Sequence, residues 1–155
     1  MFERVFGKDE AKIEGHWDIY LHGPDGRLKQ EVHGKNVITT VGKEFLASFM
    51  QSAAVAASTF TCKYIGIGSD STAEAVGNTT LGVELARQTG TASYVSGAIF
   101  QVTATFATGV GTGTIYEYGL FSSSAAGTMF SRDTESLITK GANDTLTVTT
   151  RVTLT

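Results

Sequence analysis

The chain has 155 residues, a formal net charge of −3 and a single cysteine, Cys62. No Lys/Arg cluster follows a phosphate backbone, which argues against nucleic acid as a direct partner, and a lone thiol forms no internal disulfide framework. Charged residues make up only 17%, with 18 glycines and one proline; with abundant threonine, this composition points to short strands joined by many turns.

Residues 1–14 read as an N-terminal arm, with residues 15–155 as a single domain. The arm sets Phe2, Val5, Phe6 and Ile13 among charges, without a clear period. It lacks the apolar stretch of a signal peptide, and no run approaches the length of a membrane span. The expectation is a chain made in the cytoplasm, with no membrane partner.

Residues 16–33 predict a hairpin. Trp17, Ile19 and Leu21 alternate with His16, Asp18, Tyr20 and His22. Gly23-Pro24-Asp25-Gly26 supplies the turn, since proline presets its bend and glycine accepts positive φ. A helix is expected near 41–57, with Phe45, Leu46, Phe49, Met50 and Ala53 on one face and Thr40 capping its start. Cys62 to Gly68 predicts a short strand, and 69–80 a polar loop. Leu81 to Arg87 is open between a helical turn and a strand.

From residue 94 onward the pattern is strand. Phe100, Val102, Ala104 and Phe106 form one face of one segment. Leu146, Val148, Thr150, Val152 and Leu154 oppose Thr147, Thr149, Arg151 and Thr153 in the last. Six to eight strands and one helix predict an all-β, mainly antiparallel domain, a β-sandwich or jelly-roll-like fold with one short inserted helix.

Residues with chemistry are few. Cys62 reads as a small apolar side chain, because the three histidines all lie within the first 33 residues. Gly66-x-Gly68 and Gly109-x-Gly111-x-Gly113 lack the spacing of nucleotide loops and read as turns. His16, Asp18 and His22 share a strand face, and His33 lies on the next strand; a solvated polar face explains them better than a metal site. Glu117 stands among Tyr116, Tyr118, Leu120 and Phe121. It reads as a buried, paired carboxylate, with Arg87 and Arg132 as the two candidate partners. No catalytic residue, metal site or cofactor is expected. Trp17, Tyr94, Tyr116 and Tyr118 are the aromatics available to stack on sugars.

Several segments, in order, resemble small structural proteins of tailed-phage virions. They are Asn36-Val37-Ile38-Thr39 entering the helix, Tyr64 to Ser69, and Leu81-x-x-Glu84-x-x-Arg87. Ile115-x-Glu117-x-Gly119-Leu120-Phe121, Gly127 to Arg132, and Lys140 to Val148 follow. The resemblance runs from about Trp17 onward. Two positions depart from it: Tyr118 stands where a small residue is usual, and Thr150 where an aromatic is common. The resemblance implies a non-enzymatic virion component, foremost a capsid decoration (cement) protein. A tail, collar or fibre-attachment role and a carbohydrate-binding module are the alternatives. The implied partners are the major capsid protein or other virion proteins and further copies of the chain, as a homotrimer. Phe2, Val5, Phe6, Trp17 and Tyr20 are the expected interface residues.

Overall fold

The computed structural model describes residues 12–51, 62–134 and 137–155. Its elements in chain order are β1 (Ile13–His22), β2 (Leu28–Ile38), α1 (Thr40–Gln51), β3 (Tyr64–Gly68), β4 (Glu84–Thr89) and β5 (Thr91–Tyr94). There follow β6 (Ile99–Phe106), β7 (Gly113–Ile115), β8 (Glu117–Phe121), β9 (Met129–Asp133), β10 (Ile138–Lys140) and β11 (Thr145–Leu154). The fold is all-β and antiparallel with one short helix, as the composition predicts.

Nine strands join one sheet in the order β4-β3-β8-β9-β2-β1-β11-β6-β5, and β7 pairs with β10 apart from it. Two long stretches carry this sheet around corners. β2 pairs with β1 along most of its length and passes to β9 only through Val37↔Arg132 and Ile38↔Ser131. On the opposite side, β4 pairs with β3 and β5 with β6, yet only Gly90 separates β4 from β5. The two outermost strands are therefore one ribbon, residues 84–94, and the sheet closes nearly into a barrel flattened as two layers. Strands that change sheet at a bend are the usual way such corners form.

The hairpin forms where the alternation places it. The Gly26 amide donates to the Gly23 carbonyl at 3.0 Å, and Gly26 has φ +74°. Asp25 keeps negative φ, so the turn is of type I with a left-handed glycine after it, and the register shifts between Leu21 and His22. This is the three-residue hairpin loop with a bulge.

Strict alternation decides what fills the barrel. Trp17, Ile19 and Leu21 from β1, Val102, Ala104 and Phe106 from β6, and Leu146, Val148 and Val152 from β11 are all buried. Ile65, Ile67, Tyr118 and Leu120 meet them from the other layer. Trp17 lies at the centre. Its ring centroid is 6.1 Å from that of Tyr118, and its indole N–H reaches the Asn36 amide oxygen at 2.7 Å in the amide orientation that these neighbours require.

Two side chains from distant parts of the chain meet at this tryptophan. Thr150 is the cross-strand partner of Trp17, and Tyr118 packs on its ring. Both side chains thus fill the space beside Trp17, and core volume is the quantity that packing guards most closely. The hydroxyls of Tyr118 and Thr150 are buried with no hydrogen-bond partner among the described residues, a cost the packing offsets.

Where structure and sequence reading differ, the reasons are local. Eleven strands are described rather than six to eight, because β7 and β10 have three residues each and the 84–94 ribbon lacks alternation. Leu81 to Arg87 resolves into a loop entering β4. The helix ends at Gln51; residues 52–57 of the expected helix, and the arm residues 1–11, lie outside the described residues. The cap is Thr39, not Thr40. Its Oγ1 accepts the Gly42 amide at 3.0 Å and donates to the Met129 carbonyl at 2.5 Å. That tie to β9 selects Thr39 over its neighbour.

The shared space beside Trp17 predicts a coupled response. Tyr118→Ala should cost about 3–5 kcal/mol through the cavity it leaves, and Thr150→Trp about 1–3 kcal/mol through overpacking. Together they should cost less than the sum by about 1 kcal/mol or more, as read from urea unfolding of the four proteins. Additive costs would show that the two positions do not share the space beside Trp17.

Candidate functional site

Two places concentrate polar chemistry: a buried knot on the outer face of the β3-β8-β9 layer, and an exposed row across β2-β1-β11-β6.

The knot is built on Glu117, which is completely buried. By strand parity Glu117 and Gly68 face away from the core, and the loop 69–83 folds over them. The carboxylate accepts amide N–H bonds from Gly82 at 2.9 Å, Val83 at 2.8 Å and Asp70 at 3.3 Å. Arg132, on the adjacent strand β9, donates from Nε at 3.1 Å and from Nη2 at 2.8 Å. The same guanidinium reaches Asn78 at 3.1 Å and Asp70 at 3.3 Å. Asp70 is held below the usual carboxylate range by the Thr72 hydroxyl and amide, with the Arg132 charge adding. Arg132 is thus the partner of Glu117, resolving the choice between two arginines.

Arg87 does other work. It grips Glu84 with two bonds of 2.8 and 2.6 Å and donates to the carbonyls of Ser123 and Ala126 at 3.0 and 2.7 Å. Its guanidinium stacks 3.5 Å from the Phe121 ring centroid, a geometry to which a planar cation is suited. That ring lies over Gly66 and Gly119, where a Cβ would stand 2.9 and 2.7 Å from it. The Gly66-x-Gly68 pair is therefore not a turn. It sits inside β3 and leaves a flat bed for Phe121, Leu81 and the Glu117 carboxylate. The glycines at 109, 111 and 113 do take positive φ and form the loop into β7.

With five hydrogen bonds donated to it and no exposed surface, the Glu117 carboxylate is closed off from the outside. Cys62 is buried and its thiol is pushed up to about 12 by desolvation, whereas reactive thiols need a lowered value. Among the described residues, no group of three His, Cys, Asp or Glu side chains is placed to hold a metal ion.

The exposed row is a chain of charge-assisted bonds across four strands. His33 Nε2 meets Glu31 at 2.6 Å and Nδ1 meets Asp18 at 2.6 Å. The other Asp18 oxygen accepts from Arg151, and Arg151 Nε donates to Gln101 at 2.9 Å. Beside it the hydroxyls of Thr103 and Thr149 meet at 2.9 Å. Register produces this row, since Asp18 stands opposite His33 on one side and Thr149 on the other. The imidazole pKa is raised above 6.5 by its hydrogen bonds to Asp18 first and Glu31 second. His16 and His22 share the face with Asp18 by parity, yet Asp18 is engaged by His33 and Arg151.

The expected interface residues separate. Trp17 is core, fully buried, because its parity is that of Ile19 and Leu21. Tyr20 is on the exposed face, its ring edge-on to His33 at 5.8 Å. Phe2, Val5 and Phe6 lie outside the described residues. Of the aromatics considered for sugar stacking, Trp17 and Tyr118 are sealed in the core, whereas Tyr94 is 74% exposed. The reading along the chain missed Arg151 and Gln101 as members of the row. Their alternation with Val152 and Val102 marks them as outward-facing, but only strand order makes them neighbours.

No family model, curated protein or solved structure matches the chain. No helix among the described residues is long and apolar enough to cross a membrane.

Two measurements test these sites. Arg132→Met should destabilise by about 3–5 kcal/mol in urea unfolding, because it strands Glu117 without its counter-charge; a change below 1 kcal/mol would mean the amides alone satisfy the carboxylate. An NMR titration should find His33 above 6.5, and Asp18→Asn should bring it down. A raised folded value means that His33 contributes stability fully below the unfolded pKa and loses it as pH rises through the folded one. A His33 value unmoved by Asp18→Asn would remove the pair.

Proposed function

We propose that this chain is a non-enzymatic structural component of a tailed-phage virion, foremost a capsid decoration protein that binds the major capsid protein as a homo-oligomer. The observation that carries the reading is where the phage-like segments fall. Their polar residues Glu84, Arg87, Glu117, Arg132, Lys140 and Asp144 all make internal ties. Lys140 donates to the Ala107 carbonyl at 2.9 Å, and Asp144 accepts from Lys29 at 2.7 Å. The resemblance thus concerns the residues that build the scaffold, and a shared scaffold is what a virion family would carry from member to member.

A second consideration supports it. With those groups turned inward, what the protein offers outward is surface. The row from Glu31 to Gln101 is broad, polar and stiffly bonded, suited to lie on another subunit. A lattice compensates for a weak individual contact by repeating it.

The experiment is a count of copies per particle by quantitative mass spectrometry against the major capsid protein, in purified virions of the phage that encodes the chain. Decoration of the shell predicts on the order of hundreds of copies, since every capsomer offers a site. A few to a few dozen would favour the tail, collar or fibre reading. Absence from purified particles would reject both.

A further inference from the structure

On the outer face of the long-stranded layer, one rung of the sheet collects hydrogen-bond donors. Lys35 on β2 pairs with His16 on β1, His16 with Arg151 on β11, Arg151 with Gln101 on β6, and Gln101 with Ser93 on β5. Directly opposed residues share one side of a sheet. These face outward, because Trp17, Val102 and Val152 beside them face the core. The rung crosses five strands, a span of about 19 Å. Its β2 end sets three basic side chains on adjoining strands. Basic groups side by side across strands repel one another, so folding gains nothing from the arrangement. Nor does the face compensate it. Asp18 is held between His33 and Arg151, and Glu31 is held by His33. Glu14 stands one rung out, opposite Thr153. Among the described residues, the side chains of Lys35, His16 and Glu14 make no hydrogen bond or ion pair. Gln101 turns its oxygen to Arg151 Nε at 2.9 Å, so its amide nitrogen adds donors to the rung.

We propose that this rung docks carboxylate side chains of a partner protein, with Lys35, His16 and Arg151 as the receiving groups. Charge complementarity selects that occupant. An Asp or Glu carboxylate set between Lys35 and Arg151 supplies the counter-charge that the face withholds, and accepts N–H bonds from up to three of its donors. A phosphate backbone fits less well. Glu14 and Asp18 stand on the rungs to either side of His16, and the chain carries a net charge of −3. A continuous polyanion would meet those carboxylates as soon as it left the rung, whereas single acidic side chains touch the rung alone. The proposal deepens the reading of this face as one that lies on another subunit. It rests on that contact, and holds whether or not the partner belongs to a capsid.

The test is an NMR titration of the full-length chain with a short polyglutamate peptide at low salt. Saturable shifts should appear at the side chains of Lys35, His16, Arg151 and Gln101. Lys35→Glu should raise the half-saturating concentration about tenfold, the combined effect of losing one exposed pair and adding a repulsion. Lys43→Glu, at an exposed position on α1, changes the net charge equally and should leave that concentration within about twofold. Both side chains are exposed, so both variants fold as the parent does. No saturable shift at the rung would overturn the proposal. Equal weakening by the two variants would do the same, since it would show attraction to net charge alone. A short DNA duplex bound at the rung more tightly than the peptide would replace the carboxylate with a phosphate backbone. The copy count per particle reports where the chain resides and this titration what its face accepts, so either can fail alone.

Discussion

The carboxylate of Glu117 is the point on which one whole layer depends. A buried charge is tolerable only when it is paired and its remaining lone pairs are filled. Here that requirement recruits Arg132 from the next strand and the amides of residues 70, 82 and 83 from a loop of some fifteen residues. The loop has no regular structure of its own, and long loops of that kind are usually loose. Tying it at both ends to one carboxylate gives it a defined path over β3, β8 and β9. It also covers the small apolar cluster of Leu81, Phe121 and Met129. Electrostatics and packing are thus linked on this face, with the ion pair setting where the loop lies and the loop sealing the pair from water.

The opposite face obeys a different rule. From Glu31 to Gln101 the groups are bonded to one another in water's presence, where each exposed pair is worth little alone. Their value is in order: a row of defined side chains on a flat sheet presents the same pattern in every copy. One layer therefore spends its charges on folding and the other displays them.

Much of this was legible in the sequence, for physical reasons that can be named. Period-two alternation in residues 16–22 and 146–154 fixes inward and outward faces without any knowledge of neighbours, so the barrel lining was readable. Glu117 amid aromatics announced a buried carboxylate. What was not legible depends on contacts distant in the chain. Nothing local distinguishes Arg132 from Arg87 as partner, because the decision lies in β8 pairing with β9. Trp17 read as an interface residue because the hairpin that carries it was expected to meet a partner, while its parity with Ile19 and Leu21 puts it in the core. The ribbon 84–94 lacked alternation because its two halves serve different layers of the flattened barrel, and a strand that changes layers changes the side it must bury. Thr39 won the cap from Thr40 through a carbonyl on β9, ninety residues away.

The placement of β1 between β2 and β11 has a consequence for how the protein is made. The hairpin of β1 and β2 can form as soon as it is synthesised, but its apolar side, with Trp17, Ile19 and Leu21, acquires its second neighbour only when residues 145–154 exist. Such long-range pairing is slow and leaves greasy surface open meanwhile. Every nascent chain thus passes through a half-built stage in which the hairpin waits on the ribosome for its partner strand. Loss of β11 would leave that stage permanent, so a truncation before Thr145 should be as damaging to yield as one near the middle.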